Sequence, residues 1–353
     1  MADVIEISGR RIGSGYPTYI IAEMSANHNQ DFNQAVKIIE AAKEAGADAI
    51  KLQTYTPDTM TIDCDNQYFE IKGTLWGGYT LYDLYREAYT PWEWQPKLKA
   101  VANELGLDFF STPFDCSAVD FLESMEVPAY KVASFENSDL QLLKYIAQTG
   151  KPIIMSNGMA TLAEIDEAIR TIRLTGNIQL ALLKCTSAYP SPPEAINLRT
   201  IPHLAQTFGL PVGLSDHTLG VTVPAAAVSL GACLVEKHFT LSRSIPGPDC
   251  AFSLEPSEFK TMVAAVRVTE KALGKVQYGK TEEEQDSSVF RRSLFVVRNI
   301  RAGEPFTTEN VRSIRPGYGL PPRCLDQILG RRADNDIERG TPLTWALVGM
   351  EKL

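Results

Sequence analysis

The chain has 353 residues, 44% hydrophobic and 22% charged, a balance that excludes extensive disorder and leaves room for one large domain and a small one. Its formal net charge of -9 would not gather a polyanion, so nucleic acid and anionic membrane surfaces are excluded as default partners, while a locally positive pocket still suits a small anion. The six cysteines, Cys64, Cys116, Cys185, Cys233, Cys250 and Cys324, form no CxxC pair and read as reduced thiols. The acidic start MADVIEISGRRIG is no signal peptide and no apolar run is long enough to span a bilayer, so the expected location is the cytoplasm.

Short β-rich apolar runs follow one another along the chain at 19–23, 48–54, 107–112, 129–134, 152–157, 180–187, 211–217 and 233–239. Most are separated by amphipathic segments such as NQAVKIIEAAKEAGA and LAEIDEAIRTIRLTG, each with Gly where a helix C-cap requires it. Eight β runs alternating with helices predict an α/β fold, a (β/α)8 TIM barrel over residues 1–275. Between the second and third runs lie about fifty residues, crowded with aromatics and glycine. That insertion reads as a lid or substrate loop; the alternative is a surface excursion packing on its own aromatic residues. After the last helix, 276–289 is polar and aperiodic, an exposed linker. Residues 290–353 then carry short β runs and repeated Gly turns, with NIRAGEPF matched by DIERGTPL, which predicts a small β-rich domain.

The functional signal lies in how the barrel strands end. Buried parallel strands are apolar throughout, because an unpaired polar group inside costs a few kcal/mol. Here they end in Glu23, in Lys51 and Gln53, in Ser111, in Lys131 and Ser134, in Ser156, in Ser187, in Ser215 and His217, and in Glu236 and His238. A single cavity at the C-terminal rim accounts for all of them, whereas unrelated loops would need eight coincidences. Residues two apart share a strand face, so Ser215 points with His217 and Glu236 with His238, while Lys237 points outward to the helices. His217 and His238 on neighbouring strands, with carboxylates nearby, make an open site for Mn, Fe, Co, Ni or Zn. Lys51, Lys131 and the serines suit a phosphate or carboxylate. Glu23 and Glu236 suit general acid or base work. This chemistry describes a metal enzyme with an anionic co-substrate and does not choose the reaction.

IIAEMSANHNQ, AGADAIKLQT, FFSTPFD, AYKVASFE, KPIIMSNGM, LLKCTSAYPSP, GLSDHT and EKHFTL, followed by SIRPGYG, resemble the sialic acid synthase family in sequence and order. The resemblance covers essentially the whole chain and implies condensation of phosphoenolpyruvate with an open-chain N-acetylated amino sugar. It makes the C-terminal domain an antifreeze-like (SAF) module of the β-clip type. It implies His217 and His238 as ligands of a divalent metal, Mn2+ with Mg2+ and Co2+ as alternatives. Glu23, Lys51 and Glu236 are implied as catalytic, and Lys51, Gln53, Lys131, Ser134, Ser156 and Ser215 as the phosphoenolpyruvate site. Tyr189 and Asp249 are implied on the sugar side. Arg315 is implied there too, reaching from one protomer into the barrel of its partner in a domain-swapped homodimer. Within the family, GTLWGGYTLYDLYREAYTPWEW is similar to the pseudaminic acid synthase branch, whereas PGPD at 246–249 is familiar from the sialic branch. Legionaminic and N-acetylneuraminic acid synthases are the alternatives. From a different class, a non-catalytic carbohydrate-binding protein would not need a metal beside an anion clamp.

Overall fold

The structure, a computed structural model, describes residues 4–349. Each expected β run carries one strand of a closed barrel: β3 (Tyr19–Glu23), β4 (Ala49–Thr54), β5 (Asp108–Pro113), β6 (Tyr130–Val132), β7 (Ile153–Ser156), β8 (Leu180–Cys185), β9 (Val212–Asp216) and β10 (Leu234–His238). All eight pairings are parallel, β10 meeting β3 to complete the ring. Ahead of them β1 (Val4–Ile7) and β2 (Arg10–Gly13) form an antiparallel hairpin. Its two-residue turn, Ser8 and Gly9, has both residues at positive φ, as a primed hairpin turn demands. Ile5, Ile7 and Ile12 of this hairpin join Tyr19, Ile21, Phe110, Leu183 and Leu234 in one buried cluster. The hairpin, which the sequence reading did not anticipate, thus seals the end at which the strands begin.

Helices cover the outside because each has one apolar stripe. In α1 (Phe32–Glu44), Ala35, Ile38, Ile39 and Ala42 are buried, and the Asp31 carboxylate accepts from the amides of Asn33 and Gln34 to cap the first turn. Leu162–Leu174 buries Ile165, Ala168, Ile169 and Ile172 and starts in a Thr161/Glu164 capping box. Gly46 and Gly176, just past these helices, take positive φ. The long insertion contains α2 (Pro57–Met60) and α3 (Leu81–Ala88) before α4 (Gln95–Glu104) resumes the outer layer.

The chain divides into two compact units, Met1–Gly274 and Lys275–Leu353. In the second, Asp286–Phe290 forms a 3₁₀ turn and the regular strands among the described residues are β11 (Ser293–Val296) and β12 (Val311–Ile314), paired antiparallel. The two matched segments meet through reciprocal backbone hydrogen bonds between Ile300 and Ile337, 2.9 and 2.8 Å long. Phe306 and Leu343, their last residues, are buried in the same small core.

Candidate active site

Strand register assembles the rim. His238 lies opposite Glu23, and Glu23 opposite Lys51, across β10, β3 and β4. One step inward, Glu236 lies opposite Ser215 of β9. All these side chains point inside and are buried. The intervening residues point outward: Lys237 of β10 pairs with Asp216 of β9 at 2.6 Å, both inaccessible to solvent. Ser111 corrects the sequence reading, for its hydroxyl meets Thr54 at 2.6 Å and so faces the helical layer. Thr112, one residue on, faces the cavity and accepts from Lys51 Nζ at 3.3 Å.

Two lysines and two glutamates interlock at the bottom. Lys51 Nζ is 2.7 Å from Glu23 Oε2 and 3.8 Å from Glu236 Oε2. Lys131 Nζ is 4.0 Å from Glu236 Oε1 and donates to Ser156 Oγ at 2.7 Å. Ser215 Oγ donates to Glu236 Oε1 at 3.0 Å. Burial would weaken the charge on Lys51, but Glu23 and Glu236 raise its pKa on balance; for Lys131 burial prevails and the pKa is lowered. Burial likewise raises Glu23, whereas Lys131 and Lys51 overcome it at Glu236 and lower that carboxyl. The Ser134 hydroxyl accepts from the Gly158 amide at 3.0 Å. A Cβ on Gly158 would come within 2.3 Å of Ser187 Oγ and 2.7 Å of Ser134 Oγ, so only glycine allows this approach.

Gln53, expected with the anion-binding group, donates instead to Glu23 Oε1 at 3.1 Å and to Ser25 Oγ at 2.9 Å. Ser25 in turn hydrogen-bonds the Asp249 carboxylate. Ser25, Gln53 and Asp249, with His238 and Tyr189, line a cavity of about 390 Å³ whose other walls come from the insertion, including Met60, Ile71, Trp76, Leu84 and Tyr85, and from the segments after β5 and β6, with Phe114, Phe135 and Glu136. The insertion is therefore a roof over the barrel mouth.

The two histidines lie side by side, ring centroids 5.4 Å apart, with the Tyr189 ring 4.2 Å from His217. His217 Nδ1 donates to the Thr186 carbonyl at 2.9 Å, leaving Nε2 free to act as a ligand. His238 Nδ1 is buried without a hydrogen-bond partner, and burial together with the charge of His217 holds the His238 pKa well below its ordinary value. For His217 burial is more than offset by Cys185 and the Thr186 carbonyl, and its pKa is raised. A buried, orphaned imidazole nitrogen beside a second oriented imidazole fits a divalent cation. Among the described residues no third His, Cys, Asp or Glu completes a cluster with them, so any remaining positions would fall to water or substrate.

Sequence reasoning missed Ser25, Thr112, Cys185 and Glu136. Alternation from Phe110 and Leu183 would have turned Thr112 and Cys185 inward. Cys185 Sγ indeed lies 3.9 Å from His217 Nδ1. Glu136 lies in a 3₁₀ turn after β6, where strand alternation says nothing. Arg315, in the second unit, is exposed, and no hydrogen bond or ion pair engages its guanidinium among the described residues.

Residues 38–278 match the NeuB family and residues 291–349 the SAF domain. The pseudaminic acid synthase of Helicobacter pylori is 46% identical over 93% of this chain and 97% of that protein. The N,N'-diacetyllegionaminic acid synthase of Legionella pneumophila is 38% identical over 94% and 95%. Among solved structures, the N-acetylneuraminic acid (sialic acid) synthetase of Leptospira borgpetersenii, in complex with citrate, superposes with a TM-score of 0.73 at 31% identity, covering 81% of this chain and 95% of that one. A rim of this composition on a barrel matched over most of its length leads to one conclusion: the chain belongs to the NeuB family and carries a SAF domain at its C-terminal end.

Proposed function

We propose that this chain is a pseudaminic acid synthase. Carbon 3 of phosphoenolpyruvate attacks the aldehyde carbon of open-chain 2,4-diacetamido-2,4,6-trideoxy-L-altrose, water adds at carbon 2, and the resulting tetrahedral centre expels phosphate. The observation that carries this reading is the 46% identity to a pseudaminic acid synthase along nearly the full length, against 38% to a legionaminic acid synthase. Lys51, Lys131, Ser156 and Ser215 hold the phosphate and carboxylate of phosphoenolpyruvate, with Ser134 and the Gly158 amide beside them. Glu23, contacting Lys51 and oriented by Gln53, is suited to hold a proton of the attacking water; Glu236, between both lysines, keeps their charges directed into the cavity. Formally the two lysines and two glutamates cancel, so an arriving polyanion needs further positive charge. A divalent cation on His217 and His238, Mn2+ by expectation, would supply that charge and polarise the aldehyde oxygen as a Lewis acid. Tyr189 and Asp249 line the acceptor side, and Arg315 of a partner protomer holds an N-acetyl group there in a homodimer.

The test is release of inorganic phosphate from phosphoenolpyruvate, with Mn2+ supplied, in the presence of each acceptor. The altrose derivative should give the highest kcat/KM. Preference for a legionaminic-type acceptor or N-acetylmannosamine would move the chain to another branch, and no phosphate with any amino sugar would remove it from synthase chemistry.

A further inference from the structure

The cavity has two chemically different ends. Ser25, Gln53 and His238, at or beside strand ends, and Asp249, in the loop after β10, make the lower one polar; the upper one, roofed by the insertion, is mostly apolar. In α3, Leu81, Leu84, Tyr85 and Ala88 recur at the spacing of one helical face, and that face lines the cavity. Such a stripe ordinarily packs into a core, so its position over an open space is informative. The preceding loop is closed by Ile71 N to Tyr79 O at 2.9 Å and Gly78 N to Ile71 O at 3.1 Å, with Gly73 and Gly78 at positive φ. This geometry carries Trp76 across the mouth, where its Nε1 donates to the Pro248 carbonyl at 2.9 Å and its ring lies 5.6 Å from that of Tyr189. Polar atoms at this upper end come from Thr74, Tyr55, Tyr85 and Glu136, whereas Met60, Ile71, Leu81, Leu84 and Ala88 present only apolar side chains to it.

We propose that this roof, formed by Met60, Ile71, Trp76, Leu84 and Tyr85, is a specificity subsite for the methyl end of the acceptor sugar. The inference rests on the function proposed above and adds which residues read which end. An open-chain acceptor has its aldehyde at one end and carbon 6 at the other. With the aldehyde near His238 and Tyr189, carbon 6 points into the roof. A cavity of about 390 Å³ is near the small end of ligand sites, so a single small sugar contacts both ends at once. A hydroxyl on carbon 6 seated against Met60, Ile71 and Leu84 would exchange water for hydrocarbon, which disfavours a hydroxymethyl acceptor relative to a methyl one by roughly 10- to 100-fold in kcat/KM.

The experiment compares kcat/KM for the trideoxy acceptor and for the same sugar bearing a 6-hydroxyl, using the full-length protein with Mn2+ and phosphoenolpyruvate. Wild type should favour the methyl sugar. Leu84→Asn, which keeps the branched heavy-atom outline but is smaller and polar, should bring the ratio to about 1 while leaving the KM for phosphoenolpyruvate within about twofold. Ile71→Thr should move the ratio the same way and serves as the deciding variant if Leu84→Asn does not fold. An unchanged ratio in a variant with wild-type thermal stability overturns the subsite and leaves the synthase reading standing. Absence of phosphate release by wild type with the methyl sugar overturns both.

Discussion

Glu136 keeps its carboxyl in the cavity among Tyr55, Tyr85, Phe114 and Phe135, and its Oε2 is buried without a hydrogen-bond partner. Burial pushes its pKa up to about 7, with Lys131 only partly opposing the shift. Between the ordinary value of 4.5 and about 7 the folded chain binds a proton that the unfolded chain has lost. Stability therefore falls as pH rises through that window, and the deficit is complete above it. Glu136→Gln removes the titration. Its unfolding free energy relative to wild type should improve by on the order of 2 kcal/mol between pH 5.5 and pH 8, measured by urea titration at the two pH values. Equal differences at both would show that the carboxyl titrates normally. Nothing in the sequence marked this residue, because alternation stops where β6 ends and a 3₁₀ turn begins. Lys237 is the opposite case. Two-residue periodicity alone turned it away from the cavity, and its ion pair with Asp216 lies on the outer face.

At the scale of elements, the eight strands were legible because each is buried on both faces and reads as an apolar run until its polar end. The roof was legible only as a long aromatic insertion, since the cavity it lines depends on contacts with the distant loop carrying Pro248 and Asp249. The register at Ser111 was misjudged for a related reason: Ser111 and Thr112 are both polar, and composition does not say which one faces inward. The insertion is also fastened at its far end. His28, in the 3₁₀ turn Ser25–His28, accepts from Gln30 N on Nδ1 at 3.1 Å, so Nε2 carries the proton and donates to Thr90 Oγ1 at 3.0 Å. The ring meets Trp94 edge-on at 5.8 Å. Burial lowers the His28 pKa to about 4, so the bond persists across neutral pH. Because the same turn carries Ser25, this latch ties the roof to the polar end of the cavity. His28→Ala should raise the KM for the acceptor about fivefold, the equivalent of one neutral hydrogen bond, and leave that for phosphoenolpyruvate nearly unchanged. Equal rises in both constants would mean that the substitution perturbs the barrel rather than the roof.

For the whole molecule, composition and turn chemistry were enough to expect a small β-rich unit, since NIRAGEPF and DIERGTPL each end in a core residue, Phe306 and Leu343. What such a unit is for does not follow from its own packing. Its core is complete within itself, built on Leu294, Val296, Ile300, Val311, Ile328 and Val348, yet Arg315 and Tyr318 of the SIRPGYG segment are left exposed. An exposed guanidinium that no hydrogen bond or ion pair engages among the described residues can serve a ligand carbonyl, and in a symmetric dimer each protomer can offer it to the other. If Arg315 completes the partner's acceptor site, Arg315→Ala should raise the KM for the sugar while sparing that for phosphoenolpyruvate. A Lys131→Ala chain should be inactive through its own barrel but still supply Arg315. Co-refolding the two variants in equal amounts makes half of the dimers mixed. Each mixed dimer has one intact barrel served by one intact arginine, so assays at subsaturating sugar should recover about one quarter of wild-type activity. Activity no greater than that of the Arg315→Ala component alone would mean that the arginine serves its own barrel or none.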